Sequence, residues 1–324
     1  MALKLYKPEV FQGSLKSRNY FEGWYFKQVS GNGEQVYSFI PGISLTKDDP
    51  HAFIQVINGI TGITHYIQYD IKQFSWNKKW FEVKIGSSVF SDEGIQLDIN
   101  SDGIQVSGQI DFSGNVHYPS GLFSPGIMGW YSFVPFMECK HAVVSVSHQL
   151  NGSLRINESH VDFNLGKGYI EKDWGTSFPK AWLWLQCNTF IHSNASLMIS
   201  VADIPWLGSY FLGLIAFLYV DGRFFLFNTY GKSTIQNLEK EGNNIHVELM
   251  SRQYTLIVDV KKNLTGVLKA PKLGSMSRHI KESVDSEVSV CLLDKSGDIV
   301  FKDEGHHAGL EEMDAIFGYL KKQI

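Results

Sequence analysis

Turn residues recur densely along the whole chain, and the apolar residues between them come in short runs of strand type rather than at helical spacing. Such runs include Val36 to Ile40, Ala52 to Ile57, Thr64 to Tyr69, Phe81 to Ile85, Ile95 to Ile99 and Ile104 to Ile110. They continue with Ala142 to His148, Leu197 to Ala202, Phe211 to Val220, Phe224 to Thr229, Ile245 to Met250 and Tyr254 to Val260. Asp102-Gly103, Asp221-Gly222, Gly242-Asn243-Asn244 and Ser296-Gly297-Asp298 supply hairpin signals, because these residue types accept the positive φ of tight turns. The pattern predicts an all-β fold. One short helix is expected at the C-terminal end, where Leu310, Met313, Ile316, Phe317 and Leu320 mark one face. Its acids, Glu311, Glu312 and Asp314, come early and Lys321 and Lys322 late, as the helix dipole prefers.

A chain of 324 residues suggests about two domains. So many antiparallel strands over that length suggest two sequential β-barrels or strongly curved sheets, since closure removes exposed edges and encloses a cavity. The boundary is expected near residue 165, giving an N-terminal domain of residues 1–165 and a C-terminal domain of residues 166–324. The stretch Tyr118 to Pro135 is rich in Gly, Pro and Ser yet keeps many rings, so it reads as a packed lid or pocket wall rather than a tether. Ile204 to Val220 is a little short to span a bilayer and is interrupted by Pro205, Gly208, Ser209 and Gly213, which fits strand, turn, strand.

With 29 Lys+Arg against 33 Asp+Glu, the formal charge is −4 and no basic run occurs, which argues against a nucleic-acid partner. Aromatic residues make up 14% of the chain, and rings in such number suit a β-rich core or the lining of an apolar ligand pocket. Cys139, Cys187 and Cys291 are odd in number and far apart, so neither a disulfide framework nor a metal knuckle is implied and a reducing compartment fits. The first eight residues, Met1 to Pro8, lack the apolar core of a secretion signal, so a cytoplasmic location is expected. No HExxH or Cys/His ligand spacing is present, and no metal is expected. GxSxG, Walker and GxGxxG patterns are absent as well, which removes serine hydrolase, P-loop and Rossmann readings.

The segment from Gly168 to Asn188 carries the most chemistry. If residues 181–188 form a strand, Trp182, Trp184, Gln186 and Asn188 share one face and Leu183, Leu185 and Cys187 the other. The first face reads as a mixed aromatic and polar cavity wall, because buried amides need partners. Upstream, Tyr169, Glu171 and Asp173 share a face, and two carboxylates beside rings are candidates for a general acid. Tyr20, Glu22, Trp24 and Phe26 share a face in an earlier segment. Structural accounts stand beside these readings: Glu171 and Asp173 pairing with Lys172, Lys180 or a turn amide, Trp182 and Trp184 packed in a core, and Glu22 pairing with Arg18 or Lys27. Glu138 and His141 lie an odd number of residues apart, so in a regular strand they point to opposite faces and are not expected to act together.

These segments resemble the tocopherol cyclase family. The matching residues are Tyr20-Phe-Glu-Gly-Trp-Tyr-Phe-Lys27, then Ser124-Pro-Gly-Ile-Met-Gly-Trp-Tyr-Ser-Phe-Val-Pro-Phe-Met-Glu-Cys139 with His141. Gly168-Tyr-Ile-Glu-Lys-Asp-Trp-Gly175, Ser177-Phe-Pro179 and Trp182-Leu-Trp-Leu-Gln186 follow in the family's order. The resemblance is clearest over residues 18 to 190 and faint beyond about residue 230. It implies two tandem lipocalin-like barrels, related to carotenoid hydratases, and a cofactor-free, proton-initiated cyclisation of a prenylated benzoquinol to a chromanol.

Such a reaction needs one placed acid, exclusion of water and ring faces that stabilise developing cation character. Glu22, Glu171 and Asp173 are carboxylic acids with Trp or Tyr within two residues, and Glu138 is a fourth acid in the matching motifs. From residue type and expected strand face, Asp173 is the expected acid with Glu171 supporting its protonated form, and Glu22 is held in reserve. Trp24, Trp174, Trp182 and Trp184 are expected ring platforms, with Tyr169 and Gln186 orienting the quinol hydroxyls and Glu138 beside the substrate. The competing accounts are a non-catalytic carrier of a prenylquinone and a lipocalin-like protein that holds another apolar metabolite. Lipid delivery would bring brief membrane contact, expected at the loop around Trp206 and Leu207.

Overall fold

The computed structural model describes residues 2–135, 137–206 and 209–319. Within them the chain is all-β, and its helical segments are a single α-turn, α1 (Ala2–Leu5), and short 3-10 turns. Two compact units form, one from residues 1–178 with 266–280 and one from residues 179–265 with 281–324.

The first unit begins with β1 (Tyr20–Val29), β2 (Val36–Leu45), β3 (His51–Asn58) and β4 (Thr64–Asp70). It continues with β5 (Phe74–Trp76), β6 (Glu82–Ile85), β7 (Ser88–Ser91), β8 (Gly94–Ser101) and β9 (Ile104–Val116). β10 (Cys139–Ile156), β11 (Ser159–Asp162) and β12 (Lys167–Gly175) complete it. Among the described residues these form one antiparallel, nearly closed barrel sheet in the order β4-β3-β2-β1-β12-β10-β9-β8-β7-β6-β5, with β11 on β10. Strand β8 shows why: Ile95, Leu97 and Ile99 are buried while Gln96, Asp98 and Asn100 face solvent, the period of two that half-buried strands require. One core of aromatic and branched side chains fills this unit, including Trp24, Phe26, Phe39, Phe90 and Ile170.

The second unit holds β13 (Trp182–Cys187), β14 (Thr189–Phe190), β15 (Ala195–Trp206), β16 (Ser209–Val220), β17 (Arg223–Asn228), β18 (Thr234–Glu241), β19 (Asn244–Met250) and β20 (Tyr254–Lys261). β21 (Gly266–Lys272) follows and pairs with β22 (Ser275–Asp294), and β23 (Ile299–Glu312) is the last strand. The sheet order is β17-β16-β15-β13-β23-β22-β20-β19-β18, with β14 on β23. Its core is aliphatic, built on Leu183, Leu185, Leu197, Val247 and Leu310 among others. At the Asp221-Gly222 hairpin both residues have positive φ, 45° and 93°, as a two-residue turn of this hand demands.

Four expectations meet particular outcomes. The strand, turn, strand reading of Ile204 to Val220 holds as the β15–β16 hairpin, and Leu207 at its tip lies outside the described residues. The division between units falls at residue 178 rather than 165, because β12 is hydrogen-bonded between β1 and β10 of the first unit. Residues 266–280 also belong with that first unit: the Gln55 amide exchanges hydrogen bonds of 3.0 and 2.8 Å with the Lys269 backbone. The expected C-terminal helix is corrected. Leu310, Glu311 and Glu312 pair in register with Leu185, Trp184 and Leu183 of β13, and only a 3-10 turn, Asp314–Gly318, follows. Sheet pairing outcompetes local helical preference there; residues 320–324 lie outside the described residues.

The Tyr118 to Pro135 loop is only partly packed. Tyr118 and Ile127 are buried, whereas Leu122, Phe123, Trp130 and Phe133 are exposed, which corrects the reading of the whole stretch as a packed wall. No described helix is long and apolar enough to cross a membrane.

Candidate active site

Strand β12 sorts its residues onto two faces. Ile170 belongs to the core of the first unit, and Lys172 and Trp174 follow on the same side at a spacing of two. Tyr169, Glu171 and Asp173 share the other face. Register brings neighbours to them from both sides: Tyr25 and Lys27 of β1 stand opposite Glu171 and Tyr169, and Val143 and His141 of β10 stand opposite Glu171 and Asp173. All are buried or half-buried, so a polar cluster is held on a sheet face largely withdrawn from water.

His141 lies at the centre of that cluster. Its Nδ1 is 3.0 Å from Asp173 Oδ1, and its Nε2 is 3.6 Å from Glu171 Oε2. The Tyr169 hydroxyl donates to the same Glu171 oxygen at 2.7 Å. Burial alone would depress the imidazole pKa, but the Asp173 and Glu171 carboxylates more than offset it and raise it to about 9. At neutral pH the ring is therefore an imidazolium between two carboxylates, with Nδ1–H donated to Asp173. Among the described residues Nε2 has no hydrogen-bond partner. The Tyr169 phenol is pushed well up by burial and by Glu171, so it stays protonated and donates. Burial and Asp173 likewise push up the Cys139 thiol, whose Sγ is 3.7 Å from Asp173 Oδ1, so it is no nucleophile.

A histidine whose pKa rises on folding stabilises the native state fully below its unfolded value of about 6.5, and that contribution is lost as pH climbs through about 9. Urea midpoints should decline across that window in the wild-type chain and lose that part of the decline in His141→Gln. An equal decline in both chains would count against the triad.

Among the described residues, His141, Glu171 and Asp173 are the one group of three potential metal ligands whose donor atoms lie within 4.8 Å of one another. The imidazole turns one nitrogen toward each carboxylate, hydrogen-bonded to Asp173 through Nδ1 and at ion-pair distance from Glu171 through Nε2. A metal would require one nitrogen and both oxygens to converge on a common point.

Other sequence candidates fall elsewhere. Glu22 shares a face with Tyr20, Trp24 and Phe26 as expected, but it is fully buried and paired with Lys172 Nζ at 2.5 Å, not with Arg18 or Lys27. It also accepts from the Gln12 and Gly13 amides at 2.8 and 3.0 Å and from the Tyr20 hydroxyl. Trp24 is core, stacked on Phe81, with its indole N–H donated to the Glu9 carbonyl at 2.8 Å. Trp174 is half-buried, with Lys172 Nζ 5.0 Å from its ring centroid. Glu138 is exposed, outside any strand, and its backbone carbonyl receives the Thr176 amide at 2.7 Å. These four are separate from the Tyr169, Glu171, Asp173 and His141 cluster.

In the second unit the expected alternation along β13 holds. Leu183, Leu185 and Cys187 enter the core, and Trp182, Trp184 and Gln186 line the other face, all buried. The Trp182 indole N–H donates to Glu311 Oε2 at 2.9 Å, and the Gln186 amide donates to Asn188 Oδ1 at 3.2 Å. Gln186 Oε1 is buried with no hydrogen-bond partner among the described residues. The face is aromatic with amide and carboxylate groups set into it.

His141, weighed from the sequence only as a partner of Glu138 and set aside, is the residue whose role the sequence did not show. Its partners come from 30 and 32 residues downstream, and only the β10–β12 register, with β-bulges after Val143 and Ser145, brings them together. A signal was present in the polarity of His141 at the start of an apolar strand.

A family model described as tocopherol cyclase-like matches residues 111–312. The chain belongs to the tocopherol cyclase-like family. The family match extends well past residue 230, where motif resemblance is faint. A probable chloroplastic tocopherol cyclase of Oryza sativa subsp. japonica is 22% identical over 235 residues, covering 57% of this chain and 50% of that protein. The chain thus spans about half the length of that curated relative. Among solved structures, CghA superposes with a TM-score of 0.60 at 10% identity, covering 91% of this chain and 88% of that one. A putative AttH from Nitrosomonas europaea gives 0.52 at 11% identity over 90% and 92% of the two chains. Both likenesses concern the fold, and the tocopherol cyclase-like family is here built on two curved β-sheets.

Proposed function

We propose that this protein is a cofactor-free cyclase that protonates the side-chain alkene of a prenylated benzoquinol and closes it to a chromanol. The observation that carries the reading is the imidazole of His141 held between Glu171 and Asp173 on a buried sheet face, where the two carboxylates favour its protonated form. A carrier needs an apolar pocket; it does not need a stored proton between two carboxylates.

The geometry supports one assignment of roles. Asp173 is half-buried and takes the Nδ1–H of His141, so it orients the ring and fixes its charge. Glu171 is buried, lies 3.6 Å from Nε2 and is hydrogen-bonded by Tyr169; it takes the proton from His141 once the two close to hydrogen-bond distance and delivers it to the alkene. This exchanges the two carboxylates' roles relative to the reading from strand faces alone. The alkene gains a proton and becomes a tertiary cation, the phenol oxygen attacks it, and the phenolic proton returns to Glu171. The product is an isomer of the substrate, so no oxidant, reductant or leaving group is needed. In the second unit, Trp182, Trp184 and Gln186 make a face suited to an aromatic, hydroxylated ligand.

The test is incubation with a reduced phytyl-benzoquinol in deuterated water, with product read by mass spectrometry. A singly deuterated chromanol is expected. Absence of chromanol with the quinol still bound tightly, seen as tryptophan quenching, would replace the cyclase by the carrier.

A further inference from the structure

Leu122 and Phe123 stand 71% and 80% exposed at the tip of the loop between β9 and β10. Isolated exposed apolar residues need no explanation, but these belong to a connected patch. The Tyr6 hydroxyl donates to the Leu122 carbonyl at 2.7 Å, and the Tyr6 ring meets Phe133 edge-on at 6.5 Å. Lys7 Nζ donates to the Lys79 carbonyl at 3.1 Å, which brings in the exposed ring of Trp80. Trp130, in the same 3-10 turn as Phe133, is exposed too and stacks on Tyr131.

The charge of this patch runs against that of the chain. Residues 4–8, 78–80 and 118–135 contain Lys4, Lys7, Lys78 and Lys79 and no acid, and all four lysines are exposed, whereas the whole protein carries −4. The net charge as a whole disfavours an anionic surface, whereas the lysines of this face attract one. Exposed aliphatic and aromatic side chains ringed by lysines match the depth profile of a lipid interface: Leu and Phe enter the acyl boundary, Trp and Tyr settle at the headgroups, and lysines reach the phosphates.

We infer that this face of the first unit docks on anionic lipid bilayers through Leu122, Phe123, Trp130 and Phe133, with Lys7, Lys78 and Lys79 contacting the headgroups. The inference stands on the surface alone and holds whether or not the quinol chemistry does. It places membrane contact here rather than at the loop around Trp206 and Leu207.

Cosedimentation with phosphatidylcholine vesicles, with and without phosphatidylserine, tests it. Binding is expected to the phosphatidylserine vesicles, to weaken as salt is added, and to fall at least about tenfold in Leu122→Ser/Phe123→Ser. Lys78→Glu/Lys79→Glu should lose the preference for phosphatidylserine, and both variants should melt like wild type because the altered side chains are exposed. No binding to either vesicle, or equal binding by the serine variant, overturns the inference. So does dimerisation without lipid that the serine substitutions abolish, which would make the patch a contact between copies of this chain.

Discussion

Glu171→Gln should lower kcat for chromanol formation by about 10²–10⁴-fold while leaving quinol binding nearly unchanged. The amide keeps the shape of the carboxylate and can still accept from the Tyr169 hydroxyl, which sits 2.7 Å from Oε2, but it can neither take the proton from His141 nor give it to an alkene. Asp173→Asn should behave differently. The amide oxygen can still accept the Nδ1–H of His141, so the ring stays in place, but one of the two carboxylates that raise the imidazole pKa to about 9 is gone. The fall of kcat at high pH should therefore move to lower pH, with a smaller loss at its maximum than in Glu171→Gln. Single-turnover rates over a pH series in the three proteins separate the roles. Full turnover in Glu171→Gln would remove Glu171 as the acid, and an unmoved pH limb in Asp173→Asn would remove Asp173 as the positioning group.

Alternation alone exposed most of the fold. The runs at Ile95 to Ile99 and Ala52 to Ile57 became strands because β-branched and aromatic residues suit a pleated, buried surface. It also separated Glu171 and Asp173 from Lys172, since a period of two is a local property. What it could not supply was register. Which strand lies beside β12 is decided by pairing over long sequence separations, so the sequence showed two carboxylates on one face without showing that His141 of β10 lies opposite them. Glu22 illustrates the same gap. Its strand face was read correctly, yet its partners come from Lys172 and from the backbone at Gln12 and Gly13, and these turn a candidate acid into an anchor. The end of the chain failed for a related reason: Leu310 and Ile316 fit a helical face, but residues 310–312 gain backbone pairing with β13 that no helical window registers.

Lys172→Met should destabilise the first unit by about 3–5 kcal/mol, because it leaves the Glu22 carboxylate buried without its counter-charge. Both side chains are fully buried. The ammonium reaches Glu22 Oε1 at 2.5 Å and the carbonyls of Pro8 and Val10 at 2.7 and 2.6 Å, so each of its three protons has an acceptor. Burial lowers the lysine pKa, with Glu22 opposing that shift. Lys172 and Glu22 together clip residues 8–13 onto β1 and β12, with Trp24 adding a bond to Glu9. Removing the ammonium loses both the pair and the clip. Glu22→Gln/Lys172→Met should cost less than the two single changes added together, since the double variant leaves no charge buried alone. Urea unfolding of the four proteins measures that coupling directly. Strict additivity would mean that the two side chains act independently and that the N-terminal segment is held by its packing, in which case Phe11, wedged against Phe74 and Trp76, would be the next residue to truncate.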